Sequence, residues 1–349
     1  MNTKIIDIAN IALMIVSCVA AFILPFELFL FSYAVLGPLH YLTEIGWLHK
    51  RDYFATGKKD YYWLIILCVI VTFLSLVITY RNLEVVEPLY NAVLSTFGEG
   101  IFDTVTVMIF VSFIIALAMV LFRDSFYKIL FFVLAIIIGA AFSKSSPFIF
   151  LFGVFLPTLI HVFIFTGLFI LLGALKNKSK TGIASLFVFA GCGISFFIFH
   201  PNISFYNISS YAEKAIVESG FVQLNKALMD LFKLGEFTRE TVFTSSVGLG
   251  IMRFIAFAYT YHYLNWFSKT QVIKWHEVPK KQLASVVAIW IASVLLYLYN
   301  YKTGLMVLYF LSMLHVLLEF PLNYRTIIGI GDELALLSGM KKSVLAKKK

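Results

Sequence analysis

Long apolar runs separated by short polar stretches set the pattern of this chain. Ten of them fall at about 8–24, 27–48, 62–80, 102–122, 126–142, 147–174, 182–199, 244–266, 282–299 and 303–322. An α-helix needs roughly 17–25 apolar residues to cross the hydrocarbon core of a bilayer. In lipid the backbone must pair its own N–H and C=O groups, so runs of this length predict helices rather than open strands. The expected fold is an all-α integral membrane protein, a polytopic bundle of about ten transmembrane helices forming one membrane domain over 1–349. Pro25 and its neighbours separate the first two runs and predict a tight hairpin or a broken helix there. The one sizeable polar interruption is 200–243, expected as an external loop. Within it "YAEKAIVESGFVQLNKALMDLF" carries helical periodicity with charges on one face, which predicts an amphipathic helix.

Composition agrees with this pattern. The chain is 60% hydrophobic and 13% charged, with a mean hydropathy of +0.90, whereas soluble domains carry roughly 25% charged residues. Pro25-Phe26-Glu27 follows the first run where a signal peptide would have small residues, so that run is expected to be retained. The net charge of +9 does not point to nucleic acid, because the basic residues gather in alternate loops. Lys50, Arg51, Lys58 and Lys59 form one such group, Lys176, Lys178 and Lys180 another, and the basic tail 323–349 a third. The positive-inside rule then places both termini in the cytoplasm, at an inner or plasma membrane. Cys18, Cys68 and Cys192 fall in separate apolar segments without metal-type spacing, so packing is expected and no disulfide framework.

The histidines change the picture from topology to chemistry. His49, His200 and His276 sit at expected membrane borders, but His40, His161, His262 and His315 lie one each in the second, sixth, eighth and tenth runs. In the expected topology those four helices run in the same direction. The histidines then lie about 8, 13, 4 and 7 residues from the cytoplasmic ends, or about 12, 20, 6 and 10 Å. A single intramembrane histidine often only bridges two helices. Four at similar depth suggest one inward-facing ligand per helix, which is how bundles build metal sites. Without cysteine such a set suits iron, zinc or copper.

Two of the four carry a glutamate one turn away, His40-Tyr-Leu-Thr-Glu44 and His315-Val-Leu-Leu-Glu319. Residues four apart share a helix face. Glu44 and Glu319 are therefore candidates to ligate the metal or to orient a bound imidazole through its N–H; the plainer alternative is a carboxylate facing water at the membrane border. Pro38 and Pro157 stand before His40 and His161, where kinks often aim side chains at a site. Tyr259, Tyr261, Tyr263, Asn265 and Trp266 flank His262 and either line a pocket, with Tyr259 as a candidate catalytic residue, or form an interfacial aromatic belt. Arg253 demands a partner, either a carboxylate such as Asp103 or Glu27 or an anionic ligand group.

Four short segments carry a family resemblance: "GPLHYLTE" from Gly37, "LPTLIHVF" from Leu156, "YTYHYLNWF" from Tyr259 and "SMLHVLLEF" from Ser312. In order they resemble the histidine segments of the Brp/Blh family, membrane dioxygenases that cleave β-carotene to retinal. The resemblance implies a helical bundle with iron held by histidines and an oxygenase acting on a polyene or other long apolar substrate. The family's paired-histidine helix would place a second histidine at Trp266, so His315 or a glutamate is the expected replacement. Fe(II) is the implied metal, with zinc as the other option, and the partner is a membrane lipid or apolar small molecule. Two rival classes remain, a haem-binding redox protein and a proton- or ion-coupled transporter using the His/Glu pairs.

Overall fold

The computed structural model describes residues 3–199, 206–269, 274 and 278–340. His200, His276 and the end of the basic tail lie outside these residues. Among the described residues every regular element is helical. In chain order, besides 3₁₀ turns at Asp52–Phe54 and Gly98–Gly100, these are α1 Thr3–Ile23, α2 Pro25–Phe31, a π-helical stretch Ser32–Leu36, α3 Gly37–His49, α4 Tyr61–Thr79, α5 Glu87–Phe97, α6 Ile101–Leu121, α7 Ser125–Phe142 and α8 Ser146–Phe148. A second π-helical stretch, Ile149–Phe165, follows, then α9 Thr166–Lys176, α10 Lys180–Ile198, α11 Ser210–Glu218, α12 Val222–Phe232, α13 Arg239–Thr244, α14 Ser246–Ser268, α15 Lys280–Tyr299 and α16 Tyr301–Leu337.

Nine helical stretches among the described residues are long and apolar enough to cross a membrane, which makes the chain an all-α polytopic bundle. The expected 244–266 run is α14, whose 23 residues are also long enough at ~1.5 Å each, but it is the least lipid-like. Its buried residues run from Gly248 to Asn265, with α1, α2, α10 and α13 packed against it. A helix wrapped in protein is free of the demand for an apolar surface, so α14 can carry Arg253, Thr260, His262 and Asn265. Two further boundaries differ from expectation. The helix expected to end near 322 continues to Leu337 through Pro321. The amphipathic segment is two helices, because Gly220 (φ +74°) takes a left-handed conformation that ends the first and redirects the chain.

The chain divides into two compact units. Of the described residues, 3–43, those within Leu159–Val307 and 329–340 make the first, and Glu44–Thr158 and Leu308–Ile328 the second. In the first, polar contacts pin α1 to its neighbours. The Asn10 side-chain oxygen accepts from the hydroxyls of Tyr261 (3.3 Å) and Ser268 (2.8 Å), and Asp7 accepts from Ser179 (2.6 Å) and Thr181 (2.8 Å). Within lipid, where apolar surfaces gain little by meeting each other, such bonds and close packing hold helices together.

The π-helical stretch before His40 is held in the same way. Gly37 N–H bonds the carbonyl of Ser32, five residues back, and this wider turn takes carbonyls off the α ladder. Side chains from other helices also bond carbonyls in and beside this stretch: Trp290 Nε1 donates to Val35 O (2.8 Å) and Tyr301 O–H to Leu30 O (3.1 Å). Ser32 Oγ also pairs with Thr260 Oγ1 at 2.7 Å. Trp290→Phe removes the half-buried bond to Val35 O and is expected to cost about 1 kcal/mol. Thermal unfolding in detergent checks this, with Trp63→Phe, at a 37% exposed position, as the control expected to leave the midpoint unchanged.

In the second unit, α6 packs on α4 and α7. Glycines bring the backbones close: a Cβ on Gly139 would lie 2.8 Å from Val107 Cγ1, and one on Gly153 2.6 Å from Thr106 Oγ1. A buried ion pair closes the turn before α4. Lys128 Nζ donates to both Asp60 oxygens (3.0 and 2.8 Å) and to Arg123 O (3.2 Å), while Asp60 also accepts from Gly57 N–H (2.9 Å).

Candidate metal centre

Three of the four intramembrane histidines meet in the first unit, each from its own helical segment. His40 lies one turn past the first π-helical stretch, on α3; His161 lies inside the second stretch; His262 is on α14. They are 1%, 1% and 5% exposed, so water does not solvate any of them. His40 Nε2 and His262 Nε2 are 3.1 Å apart, with the rings at 70° to each other. The His161 ring centroid is 4.9 Å from that of His262. Each ring offers one nitrogen, and these nitrogens lie within 4.8 Å of one another, an arrangement that could hold a metal ion.

The 3.1 Å separation is informative. Two nitrogens each about 2.1 Å from one ion and at right angles to each other are about 3 Å apart. The pair thus has the span of neighbouring ligands on a single metal. A neutral donor–acceptor pair of imidazoles would have the same span. His262 Nδ1 is 2.8 Å from the fully buried Thr166 hydroxyl. When Nε2 ligates a metal, Nδ1 carries the proton and donates to the Thr166 oxygen, which sets the tautomer and holds the ring plane.

Thr166 reaches His262 because of the helix type. Residues five apart are turned about 140° from each other on an α-helix, whereas i→i+5 bonding stacks them on nearly one face. His161 and Thr166 are five apart across the end of the π-helical stretch, and both meet His262. Pro157, which has no N–H to give to the α ladder, lies within the same stretch.

The wall around His40 is aromatic. Tyr263, Trp266 and Phe267 ring centroids lie 5.1, 5.6 and 6.5 Å from the imidazole. Trp266 Nε1 donates to Thr43 Oγ1 (3.0 Å), and Thr43 donates in turn to Leu39 O (2.7 Å), so the indole is tied to the helix that carries His40. Gly37 leaves room for Tyr263, since a Cβ there would sit 3.3 Å from the tyrosine hydroxyl. Tyr259 packs further off, against Phe29 (5.2 Å), Tyr33 (6.0 Å) and Tyr263 (6.2 Å); the tyrosine against His40 is Tyr263.

His315, Glu319 and Glu44 belong to the second unit and are 4%, 1% and 3% exposed. Neither glutamate therefore faces water at a membrane border. Thr166 and the Thr43–Trp266 link are the parts of the centre that sequence reasoning missed. Comparison with protein-family models, with curated proteins and with solved structures found no match.

Proposed function

We propose that this protein is a membrane-embedded, histidine-ligated non-haem iron oxygenase acting on a long apolar substrate of carotenoid or lipid type. The observation that carries the proposal is the buried meeting of His40, His161 and His262, with Nε2 atoms 3.1 Å apart and Thr166 on the far nitrogen of His262. From the sequence reading, His315 is proposed as a fourth ligand. Glu44 and Glu319 are proposed to orient imidazoles or to ligate directly. The metal, when bound, supplies an open coordination position at which O₂ is activated. The chain's own share is to fix the imidazole tautomers, to exclude water, and to present aromatic walls at Tyr263 and Trp266 to an apolar substrate arriving from the bilayer. The Brp/Blh resemblance supports this choice of chemistry, and both termini are proposed to face the cytoplasm of an inner or plasma membrane.

A haem bound between His40 and His262 fits less well. With their Nε2 atoms 3.1 Å apart, His40 and His262 leave no room for a macrocycle between them, so they would not hold a haem as a pair. The deciding experiment is metal analysis and an absorption spectrum of the detergent-purified protein. One iron per chain without a Soret band is the expected result. Zinc would keep the centre and overturn the oxygenase chemistry in favour of hydrolysis. A chain without metal, prepared without chelators, would overturn the metal centre and leave the His40–His262 contact as a step in a proton relay.

A further inference from the structure

Among the described residues no opposite charge stands beside the buried Arg253. It lies seven residues into α14 from Ser246, about 10 Å along the axis, and is 3% exposed. A guanidinium stays protonated, and a charge held away from water in a membrane protein demands a partner. Glu27, expected from sequence as one candidate, is engaged elsewhere: it accepts from Tyr206 O–H at 2.6 Å and from Ser209 N–H at 3.1 Å. Among the described residues no carboxylate lies within 4.0 Å of Arg253, and its Nε has no hydrogen-bond partner. What the guanidinium does meet is the face of Phe22, 5.4 Å from the ring centroid.

The surroundings indicate where a counter-charge would come from. Phe22 is near the end of α1, beside Val19, Ile23 and Leu24, which are 51%, 58% and 50% exposed. On α10, Phe197 packs against Phe254, the residue next to Arg253, at 5.6 Å, and Ile198 and Phe199 just beyond are each 62% exposed. In a bilayer such side chains meet acyl chains. Arg253 therefore sits behind an exposed apolar rim formed by α1 and the end of α10.

We propose that Arg253 anchors the phosphate of a bound anionic phospholipid. Guanidinium and phosphate match in charge and in bidentate geometry. The site is separate from the histidines: nine residues between Arg253 and His262 are two and a half turns, which puts them on opposite faces of α14. It stands whether or not the histidines bind metal.

The test compares melting of the purified chain in an uncharged detergent with added phosphatidylglycerol, phosphatidylcholine or inorganic phosphate, for wild type, Arg253→Lys and Arg253→Gln. Wild type is expected to gain several degrees with phosphatidylglycerol over phosphatidylcholine and nothing with inorganic phosphate. Arg253→Lys keeps part of that difference and Arg253→Gln loses it, while native mass spectrometry shows one retained phosphatidylglycerol on wild type. Equal response to the two lipids, or an undiminished difference in Arg253→Gln, overturns the proposal. An equal gain from inorganic phosphate overturns the lipid occupant in favour of a soluble anion. Should Arg253→Gln fail to fold, the wild-type lipid comparison and Arg253→Lys decide the matter.

Discussion

Replacing His262 with alanine is expected to abolish metal binding, whereas Thr166→Val should leave the metal bound but 10–100-fold more weakly. The difference follows from what each atom does. In the proposed centre His262 would offer Nε2 to the ion, and its ring lies 4.7 and 4.9 Å from those of His40 and His161. Its loss removes a ligand and opens a void between the other two. Thr166 is proposed to act through His262: a hydroxyl that accepts the Nδ1 proton would favour the ligating tautomer, and loss of such a partner typically costs about 10–100-fold in affinity. Valine keeps the volume, so folding should be preserved. Metal content by elemental analysis, followed by competition against a chelator, separates the two variants. Unchanged metal content in His262→Ala would remove this histidine from the ligand set and the proposal with it. A Thr166→Val protein as tight as wild type would show that the hydroxyl does no more than fill space.

The parts of this molecule that were legible in its sequence are those that lipid itself enforces. Apolar runs had to be helices, and they are. The depth of the histidines picked out His40, His161 and His262 before any contact was known, because an imidazole on a membrane helix needs a reason. Thr166 was hidden for a geometrical reason. Reading faces with the α-helical period turns it about 140° away from His161, and only the π-helical stretch brings the two together. Pro157 marks that helix as irregular without saying which irregularity results. The break at Gly220 is not legible in the sequence because the apolar period continues on either side of it. Lys128 does not stand out in the sequence, since charge near a span edge is ordinarily a topology signal. Burial of its ammonium depends on Asp60, 68 residues earlier, and no local pattern reports a contact of that range.

That contact gives the second large effect. Asp60→Asn is expected to destabilise the second unit by about 3 kcal/mol, near the lower end of what breaking a buried pair costs. The Lys128 side chain is 5% exposed and the Asp60 side chain 13%, so the ammonium cannot recover water once its carboxylate is gone, while the aspartate end is slightly relieved by solvent. Arg123 O at 3.2 Å remains as an acceptor but brings no full charge. The physical content of the prediction lies in the double variant. Lys128→Met in the Asp60→Asn background removes the stranded cation and fills its space with an apolar chain, so it should restore much of the loss although it is a second mutation in one site. Denaturant unfolding in detergent for both single variants and the double variant measures the coupling. Near-additive losses, or an Asp60→Asn change within about 0.5 kcal/mol, would mean that the pair behaves like an exposed surface bridge. A strong coupling would show instead that the turn before α4 is held chiefly by one buried charge, as the two short Lys128–Asp60 bonds imply.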